Sequence, residues 1–186
     1  MNPWKTLSTA TVYDNPWIRV EDHRVINPAG NPGQYGKVCF KNRAIAIIAL
    51  DERRNVHLVG QFRYTLDRYS WELPKGGAAP GEDSLTAAQR ELREETGLTA
   101  ARWQRLLDLD ISNSVTDELG TVYVAEELEQ GESAPDETED LTSKVLSFEE
   151  ALDWVREGKI LDAISVAGLL RLAADTLRST VRRPHA

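Results

Sequence analysis

The segment from Gly76 to Leu98 constrains this chain more than any other feature, because it joins a glycine-rich loop to an acidic helix. Glycine and proline residues before position 82 predict an irregular loop. Asp83 or Ser84 is placed to cap a helix, and Gly97 is placed to end it. We therefore expect a helix over residues 84–96.

Glu91, Glu94 and Glu95 follow one another at i, i+3 and i+4 on this predicted helix, so their carboxylates should project from one stripe of its surface. Like charges at these spacings destabilise an isolated helix by about 0.2–0.5 kcal/mol per pair. Oxygen ligands on a rigid element suit Mg²⁺, which commonly binds through one or two carboxylates, water and substrate phosphate. The stripe therefore predicts a metal site that attracts a pyrophosphate.

A solvated acidic face is the simpler interpretation of three glutamates on a helix. That interpretation does not require the neighbouring Gly76, Glu82, Arg90 or Gly97. Arg90 is placed to orient the glutamates through charge-assisted hydrogen bonds. Gly76 is expected to adopt a backbone conformation that is closed to other residues. Together these residues favour a functional site.

The segment reads Gly76, five residues, Glu82, seven residues, and then Arg-Glu-Leu-Arg-Glu-Glu-Thr-Gly-Leu from Arg90. It resembles the Nudix box, G-x5-E-x7-R-E-U-x-E-E-x-G-U with U aliphatic, at every fixed position. The resemblance implies an α/β fold, an α/β/α sandwich with a mixed central sheet. It also implies that metal-activated water attacks a phosphorus of a nucleoside diphosphate derivative. The implied ion is Mg²⁺, with Mn²⁺ as the alternative, and its implied ligands are Glu91, Glu94 and Glu95, supported by Glu82.

Two further stretches resemble the ADP-ribose pyrophosphatase and nucleoside diphosphate sugar hydrolase branch of Nudix hydrolases. These are Val59 to Tyr64 and Trp71 to Pro74. Asp136 to Leu141 resembles the acidic catalytic loop of that branch. By this resemblance, Glu137 or Glu139 deprotonates or orients the attacking water, and Glu139 also reaches a metal. A solvated surface loop is the alternative for either acid.

Three residues are predicted to contact the substrate. Arg63 is a candidate phosphate ligand because a guanidinium grips two oxygens, although a structural ion pair is the alternative. Lys75 replaces the small residue common before the box glycine in ADP-ribose pyrophosphatases, and Pro-Lys-Gly resembles dinucleoside polyphosphate hydrolases. Trp4 is a candidate for stacking on a purine, whereas Trp17 is expected in core or dimer packing.

The chain order predicts a small antiparallel β unit over residues 1–42 and a Nudix hydrolase domain over 43–186. Strands over 44–50 and 56–63 are expected to form a hairpin in the central sheet. Further strands are predicted at 103–108, 120–125 and 142–146, with an acidic stretch over 126–140. Ser147 and Asp162 are placed to cap two more helices.

Composition limits the partners. The formal net charge of -8 disfavours binding to duplex nucleic acid, which relies on lysine and arginine. The single Cys39 excludes an internal disulfide and suits the cytoplasm. The apolar run over 44–50 is too short to span a membrane. A small-molecule nucleoside diphosphate is thus the predicted substrate, and the resemblance implies a homodimer in which the N-terminal β unit is exchanged.

The leading functional prediction is hydrolysis of ADP-ribose or a related nucleoside diphosphate sugar, with GDP-mannose as a close rival. Lys75 supports an alternative, the hydrolysis of dinucleoside polyphosphates or NADH. A second alternative is a Nudix module that binds ADP-ribose without cleaving it. That module should have lost acids from the box, and this chain retains them all.

Overall fold

The structure is a computed structural model that describes residues 1–131 and 141–181. Its strands are β1 Lys5–Asp14, β2 Ile18–Ile26, β3 Pro32–Phe40, β4 Arg43–Ala49, β5 Asn55–Arg63, β6 Arg68–Glu72, β7 Lys75–Ala78, β8 Leu98–Asp110, β9 Leu119–Gln130 and β10 Thr142–Ser147. Its α-helices are α1 Ser84–Thr96, α2 Phe148–Arg156 and α3 Ala163–Val181.

The central sheet has the strand order β7-β4-β9-β8, with β4 parallel to β9 and the other neighbours antiparallel. Alternate residues of β4 enter two different cores, because successive side chains of a strand point to opposite faces. Ile45 and Ile47 pack with α1, whereas Ala46 and Ile48 pack with α2 and α3. The predicted α/β/α sandwich with a mixed sheet is therefore confirmed.

The predicted hairpin between the first two strands of the catalytic unit is wrong. β4 and β5 lie in different sheets, since β5 pairs with β6 and β10, and a single Leu50–Val56 bridge links the two segments. The polar turn does form, because Asp51 accepts hydrogen bonds from the backbone of Arg53 and Asn55, each at 2.8 Å. Apolar patterning marks a strand without fixing its partner, and Val56 and Leu58 of β5 pack in the core on the α2 and α3 side.

β8 and β9 are longer than the sequence predicted. They pair antiparallel from Leu98–Gln130 to Asp110–Leu119, so the acidic stretch expected from residue 126 begins inside β9. Its first side chains face solvent along one end of this ladder, which is why a polar sequence still forms a strand. Ser147 and Asp162 cap α2 and α3 as predicted.

The N-terminal segment forms the predicted antiparallel unit, a sheet of order β1-β2-β3. It contacts the rest of the chain through the loop between β8 and β9: Tyr35 donates a hydrogen bond to the Ser114 carbonyl at 2.6 Å, and Lys37 pairs with Asp117 at 2.7 Å. The domain boundary at residue 42 stays a prediction. Within the described residues, no helix has the length and apolar character needed to cross a membrane.

Candidate active site

Helix α1 is fixed at both ends by its own sequence. Asp83 caps the first turn, accepting hydrogen bonds from the backbone of Leu85 at 3.1 Å and Thr86 at 3.0 Å. Ser84, the alternative cap, instead bonds the Tyr123 hydroxyl at 2.7 Å. Gly97 ends the helix with φ of 73°, a left-handed conformation that favours glycine. The acidic stripe is thus carried by a rigid element.

Gly76 is required for space, which corrects the predicted reason for it. Gly76 lies in β7, and its φ is not positive. A Cβ at this position would overlap the Glu91 carboxylate, which packs directly against the Gly76 backbone. The amide of Gly77 donates a hydrogen bond to Glu91 Oε1 at 3.1 Å. The glycine pair therefore forms a cradle for Glu91.

The three glutamates of the stripe have different environments. Glu95 is only 4% exposed and accepts a hydrogen bond from the Lys75 amide at 2.8 Å. Glu91 and Glu94 line an open cavity. Burial raises the pKa of Glu91, although its hydrogen bond with Arg90 opposes that shift. A nearby positive charge therefore favours the charged form of Glu91.

Arg90 organises the acids of the box. Its Nη1 donates to Glu91 at 2.7 Å and to Glu94 at 2.9 Å, and its Nη2 donates to the Gly77 carbonyl at 2.9 Å. Its Nε also lies 3.3 Å from Glu82 Oε1. Glu82 in turn accepts a hydrogen bond from the Ala79 amide, which is the main cause of its lowered pKa. One guanidinium therefore joins the loop acid to two acids of the helix.

The donor chemistry of this cluster fits a hard divalent cation, because the glutamates of the box offer carboxylate oxygens on a rigid frame. Burial raises the pKa of Glu91, and the Arg90 guanidinium, 2.7 Å from its carboxylate, opposes that shift. Across residues 1–131 and 141–181, no three His, Cys, Asp or Glu side chains converge as a ready-made metal site. Arg90 instead bridges the carboxylates. The metal roles predicted for Glu82, Glu91, Glu94 and Glu95 remain predictions.

The cavity has a volume of about 1000 Å³ and brings three parts of the chain together. The box supplies one wall, including Glu91 and Glu94. The N-terminal unit supplies Trp17 and Phe40, and Asp162 lies at the start of α3 on a third wall. A volume of this size lies at the upper end of the usual range of about 300–1,000 Å³ for small-molecule sites.

Arg63 and Lys75 both line the cavity, but the structure pairs both with acids. Arg63 binds Glu72 through two hydrogen bonds, Nη2 at 2.5 Å and Nε at 3.0 Å. Lys75 Nζ lies 2.9 Å from Glu72 and 2.5 Å from Asp162. Burial alone would raise the pKa of Glu72, but hydrogen bonds with Arg63 and Lys75 lower it to about 2. The alternative predicted for Arg63, a structural ion pair, is present.

Within one chain, Trp17 lines the cavity and Trp4 does not. Trp4 packs edge-on against Tyr35, with ring centroids 5.5 Å apart, and is not on the cavity wall within one chain. Trp17 is 67% exposed and lines the cavity, so it does not pack in a core of the single chain, and its packing in a dimer stays a prediction. Trp17 lies between β1 and β2, in a unit whose buried apolar residues are Val25 and Cys39.

Sequence reasoning missed Glu72 and Ser165 as supports of the site. Ser165 is fully buried, bonds Asp162 at 2.7 Å and accepts a hydrogen bond from the Leu73 amide at 3.0 Å. The sequence signals for them are the resemblance of Trp71 to Pro74, which contains Glu72, and the helix cap predicted at Asp162. Its second bond, to Lys75, depends on a contact between residues 87 positions apart. The predicted Glu137 and Glu139 lie outside the described residues.

Family models match two parts of the chain. The NUDIX domain matches residues 40–164, and the nucleoside diphosphate sugar hydrolase N-terminal domain matches residues 4–38. A solved structure titled as that of an ADP compounds hydrolase has a TM-score of 0.86, with 22% identity over 98% of both chains. That likeness confirms the fold.

Two relatives are similar over most of the chain. An ADP-ribose pyrophosphatase of Mycobacterium tuberculosis is 40% identical over 184 residues, which are 97% of this chain and 88% of the relative. A methanol dehydrogenase activator of Bacillus methanolicus is 30% identical over 164 residues, which are 87% of this chain and 88% of the relative. The family match, the fold and the intact acidic box together show that this chain is an enzyme of the NUDIX family, a Nudix hydrolase.

Proposed function

We propose that the protein hydrolyses the pyrophosphate bond of ADP-ribose or a related nucleoside diphosphate sugar, releasing a nucleoside monophosphate and a sugar phosphate. The observation that carries this proposal is the opening of the Arg90-ordered carboxylates, Glu91 and Glu94, onto the cavity of about 1000 Å³. A diphosphate in this cavity would bring its phosphorus atoms to the acids of the box. The name of the M. tuberculosis relative supports ADP-ribose as the substrate to test first.

Nudix hydrolases generally depend on a divalent metal, and we propose Mg²⁺ here, with Mn²⁺ as the alternative. Glu91, Glu94 and Glu95 would hold it, supported by Glu82. When bound, such an ion would lower the pKa of the water bound to it and would neutralise charge on phosphate oxygens. The chain's own contribution is orientation, because Arg90 and the Gly77 amide fix Glu91 while the Lys75 amide fixes Glu95.

Glu137 or Glu139 is proposed to take the proton from the attacking water, on the basis of the resemblance of the loop 136–141. The ionisation of a side chain that takes this proton should appear in the pH dependence of kcat. Replacing the essential glutamate with glutamine should lower kcat at neutral pH and remove its limb of the pH profile. Wild-type kcat across pH in both Glu137→Gln and Glu139→Gln would remove this loop from the mechanism.

Product analysis tests the substrate directly. Purified protein with Mg²⁺ is incubated with ADP-ribose, GDP-mannose, NADH and a dinucleoside polyphosphate, and the phosphate products are separated. The proposal expects the fastest cleavage for ADP-ribose or the nucleotide sugar. Preference for NADH or the polyphosphate would favour the alternative raised by Lys75, while tight binding without cleavage would favour a binding module.

Two variants test the acidic stripe. Glu94→Gln and Glu95→Gln should each lower kcat at least about tenfold, since losing even an outer-shell support of a metal ligand typically costs about 10–100-fold. Glutamine is close in shape to glutamate, so the melting temperature of each variant should change little. Glu129→Gln, on an exposed part of β9, is the matched control. Full activity in both box variants would exclude the stripe from catalysis.

We further propose a homodimer and a cytoplasmic location. Every residue of β1 is exposed in the single chain, and only Val25 and Cys39 are buried among the apolar residues of the N-terminal unit. The exposed apolar residues include Val12, Tyr13 and Trp17. A second copy packed on this unit would cover them, and the exchange of the unit that the resemblance implies keeps base stacking by Trp4 as a prediction. The single cysteine suits the cytoplasm.

A further inference from the structure

Four positively charged side chains line the main cavity among the described residues: Arg43, Arg63, Lys75 and Arg90. Three of them have a carboxylate within 3.0 Å: Arg63 with Glu72, Lys75 with Glu72 and Asp162, and Arg90 with Glu91 and Glu94. A phosphate that binds any of these three must compete with an acid already in place. Arg43 is different.

The guanidinium of Arg43 has weak neutralising contacts. Its Nη1 donates to the neutral hydroxyl of Thr121 at 3.2 Å, and among the described residues the nearest paired carboxylate oxygen, of Asp108, lies 3.8 Å away. That distance is outside hydrogen-bond range. Asp108 itself accepts two hydrogen bonds from Arg105, at 2.6 and 2.7 Å, and one from Thr121 at 2.8 Å. Most of the donors of Arg43 therefore remain available to a ligand.

The position of Arg43 is fixed by the sheet. It is the first residue of β4, where it pairs with Ala78 while the next residue, Ala44, pairs with Gly77. Gly77 is the residue whose amide binds Glu91 and whose carbonyl binds Arg90. The backbone of Arg43 thus lies one residue pair along β4 and β7 from Gly77, which holds Glu91.

Arg43 also lies where two cavities meet. A second cavity of about 470 Å³ shares Phe40, Asn42 and Arg43 with the main one and extends to the start of α1. A substrate with a diphosphate near the acids and a larger group on either side would pass this junction. The side chain is 35% exposed, so its donors are open to such a molecule.

We infer that Arg43 binds the diphosphate of the substrate and is a determinant of affinity for nucleoside diphosphates, an inference that rests on the proposed function. Its planar guanidinium matches two phosphate oxygens at once, which a lysine cannot do. Arg63 and Lys75 are held by Glu72 and Asp162, and Arg43 supplies the exchangeable positive charge.

The test combines binding and turnover. The probe for binding is α,β-methylene-ADP, whose phosphorus–carbon link resists hydrolysis, titrated by calorimetry in the presence of Mg²⁺. Arg43→Met should weaken binding by about tenfold or more, since a hydrogen bond to a charged group contributes about 1.5–3 kcal/mol and 1.4 kcal/mol is tenfold. KM for ADP-ribose should rise by a similar factor while kcat changes far less. The affinity of Arg43→Lys for the probe should lie between those of the wild type and Arg43→Met.

Arg102→Met is the matched control, because Arg102 is an exposed arginine on β8 that pairs with Glu126 and Glu127 and lies on neither cavity wall. It should bind the probe like the wild type. Equal melting temperatures would show that both variants are folded, and Arg43→Lys provides the comparison if Arg43→Met is unstable.

The outcomes separate this inference from the proposed function. Unchanged probe affinity in Arg43→Met overturns the inference even if ADP-ribose is cleaved. An equal loss of affinity in Arg102→Met overturns it too, because the effect would then be one of overall charge. If the wild type binds the probe through Arg43 but does not cleave ADP-ribose, the inference holds and the proposed function fails. A wild type that does not bind the probe overturns the inference.

Discussion

The three glutamates of the acidic stripe are neighbours in sequence but differ in exposure. Glu95 is buried, the side chain of Glu91 is 12% exposed, and that of Glu94 is 35% exposed. The Glu91 carboxylate packs directly against the backbone of Gly76. At the scale of single residues, the site therefore depends on close packing as well as on charge.

Gly76→Ala tests this packing. The added methyl group would overlap the Glu91 carboxylate, and such overpacking typically costs about 1–3 kcal/mol of stability. Displacement of Glu91 should also lower kcat/KM by about tenfold or more, as a misplaced catalytic group can cost about a hundredfold. Gly36→Ala is the control, because a Cβ at Gly36 meets no atom within 4 Å. Normal kcat/KM in Gly76→Ala would contradict the cradle.

The low pKa of Glu72 predicts that the protein loses stability in acid. Its pKa is about 2 in the folded state against an ordinary value of 4.5, so the ion pair with Arg63 and Lys75 stabilises the fold fully above about pH 4.5. This contribution, on the order of 3 kcal/mol, is lost as the pH falls through about 2. Urea unfolding at a series of pH values should show a smaller dependence in Glu72→Gln. Parallel profiles for the two proteins would refute the assignment.

At the scale of elements, the first turn of α3 is bonded to Lys75 on the cavity wall. Asp162 caps the helix by accepting the Ser165 amide at 3.1 Å, and it also binds Lys75. Ser165 extends the link to the Leu73 amide. The segment that enters the Nudix box, between β6 and β7, is therefore positioned by a helix far away in sequence.

Ser165→Ala should lower the free energy of unfolding by about 1–3 kcal/mol, because the buried Leu73 amide would lose its acceptor. Ser143→Ala, on an exposed position of β10, is the control and should leave stability within about 0.5 kcal/mol of the wild type. Chemical denaturation measures both. Equal midpoints in the two variants would mean that the Leu73 amide has another acceptor.

At the scale of the whole molecule, the N-terminal unit lacks a core that would stabilise it alone. The dimer proposal expects light scattering at micromolar concentration to give twice the mass of one chain. Val12→Lys should shift the protein towards the monomer, because Val12 is 63% exposed and a lysine there would be costly to bury. Leu170→Lys, at an apolar position 49% exposed on α3, is the control. A monomeric wild type would rule out the dimer.

Local sequence determined the elements whose signals are themselves local. The bounds of α1, its Asp83 cap and its Gly97 end all follow from residues within one or two turns of each other. The stripe of Glu91, Glu94 and Glu95 follows from helical periodicity. The caps of α2 and α3 were predicted for the same reason, because a capping side chain bonds a backbone group only two or three residues ahead.

Only the tertiary structure decided the contacts between distant segments. Apolar periodicity marks a strand but not its partner, so the separation of β4 and β5 into different sheets was not predicted. The pairing of Lys75 with Asp162, and the weakly neutralised position of Arg43, likewise depend on which elements pack together. Sequence by itself determined which acids share one stripe of α1, because their spacing is local. The fold decided which cations remain to bind a substrate, because neutralisation depends on neighbours in space.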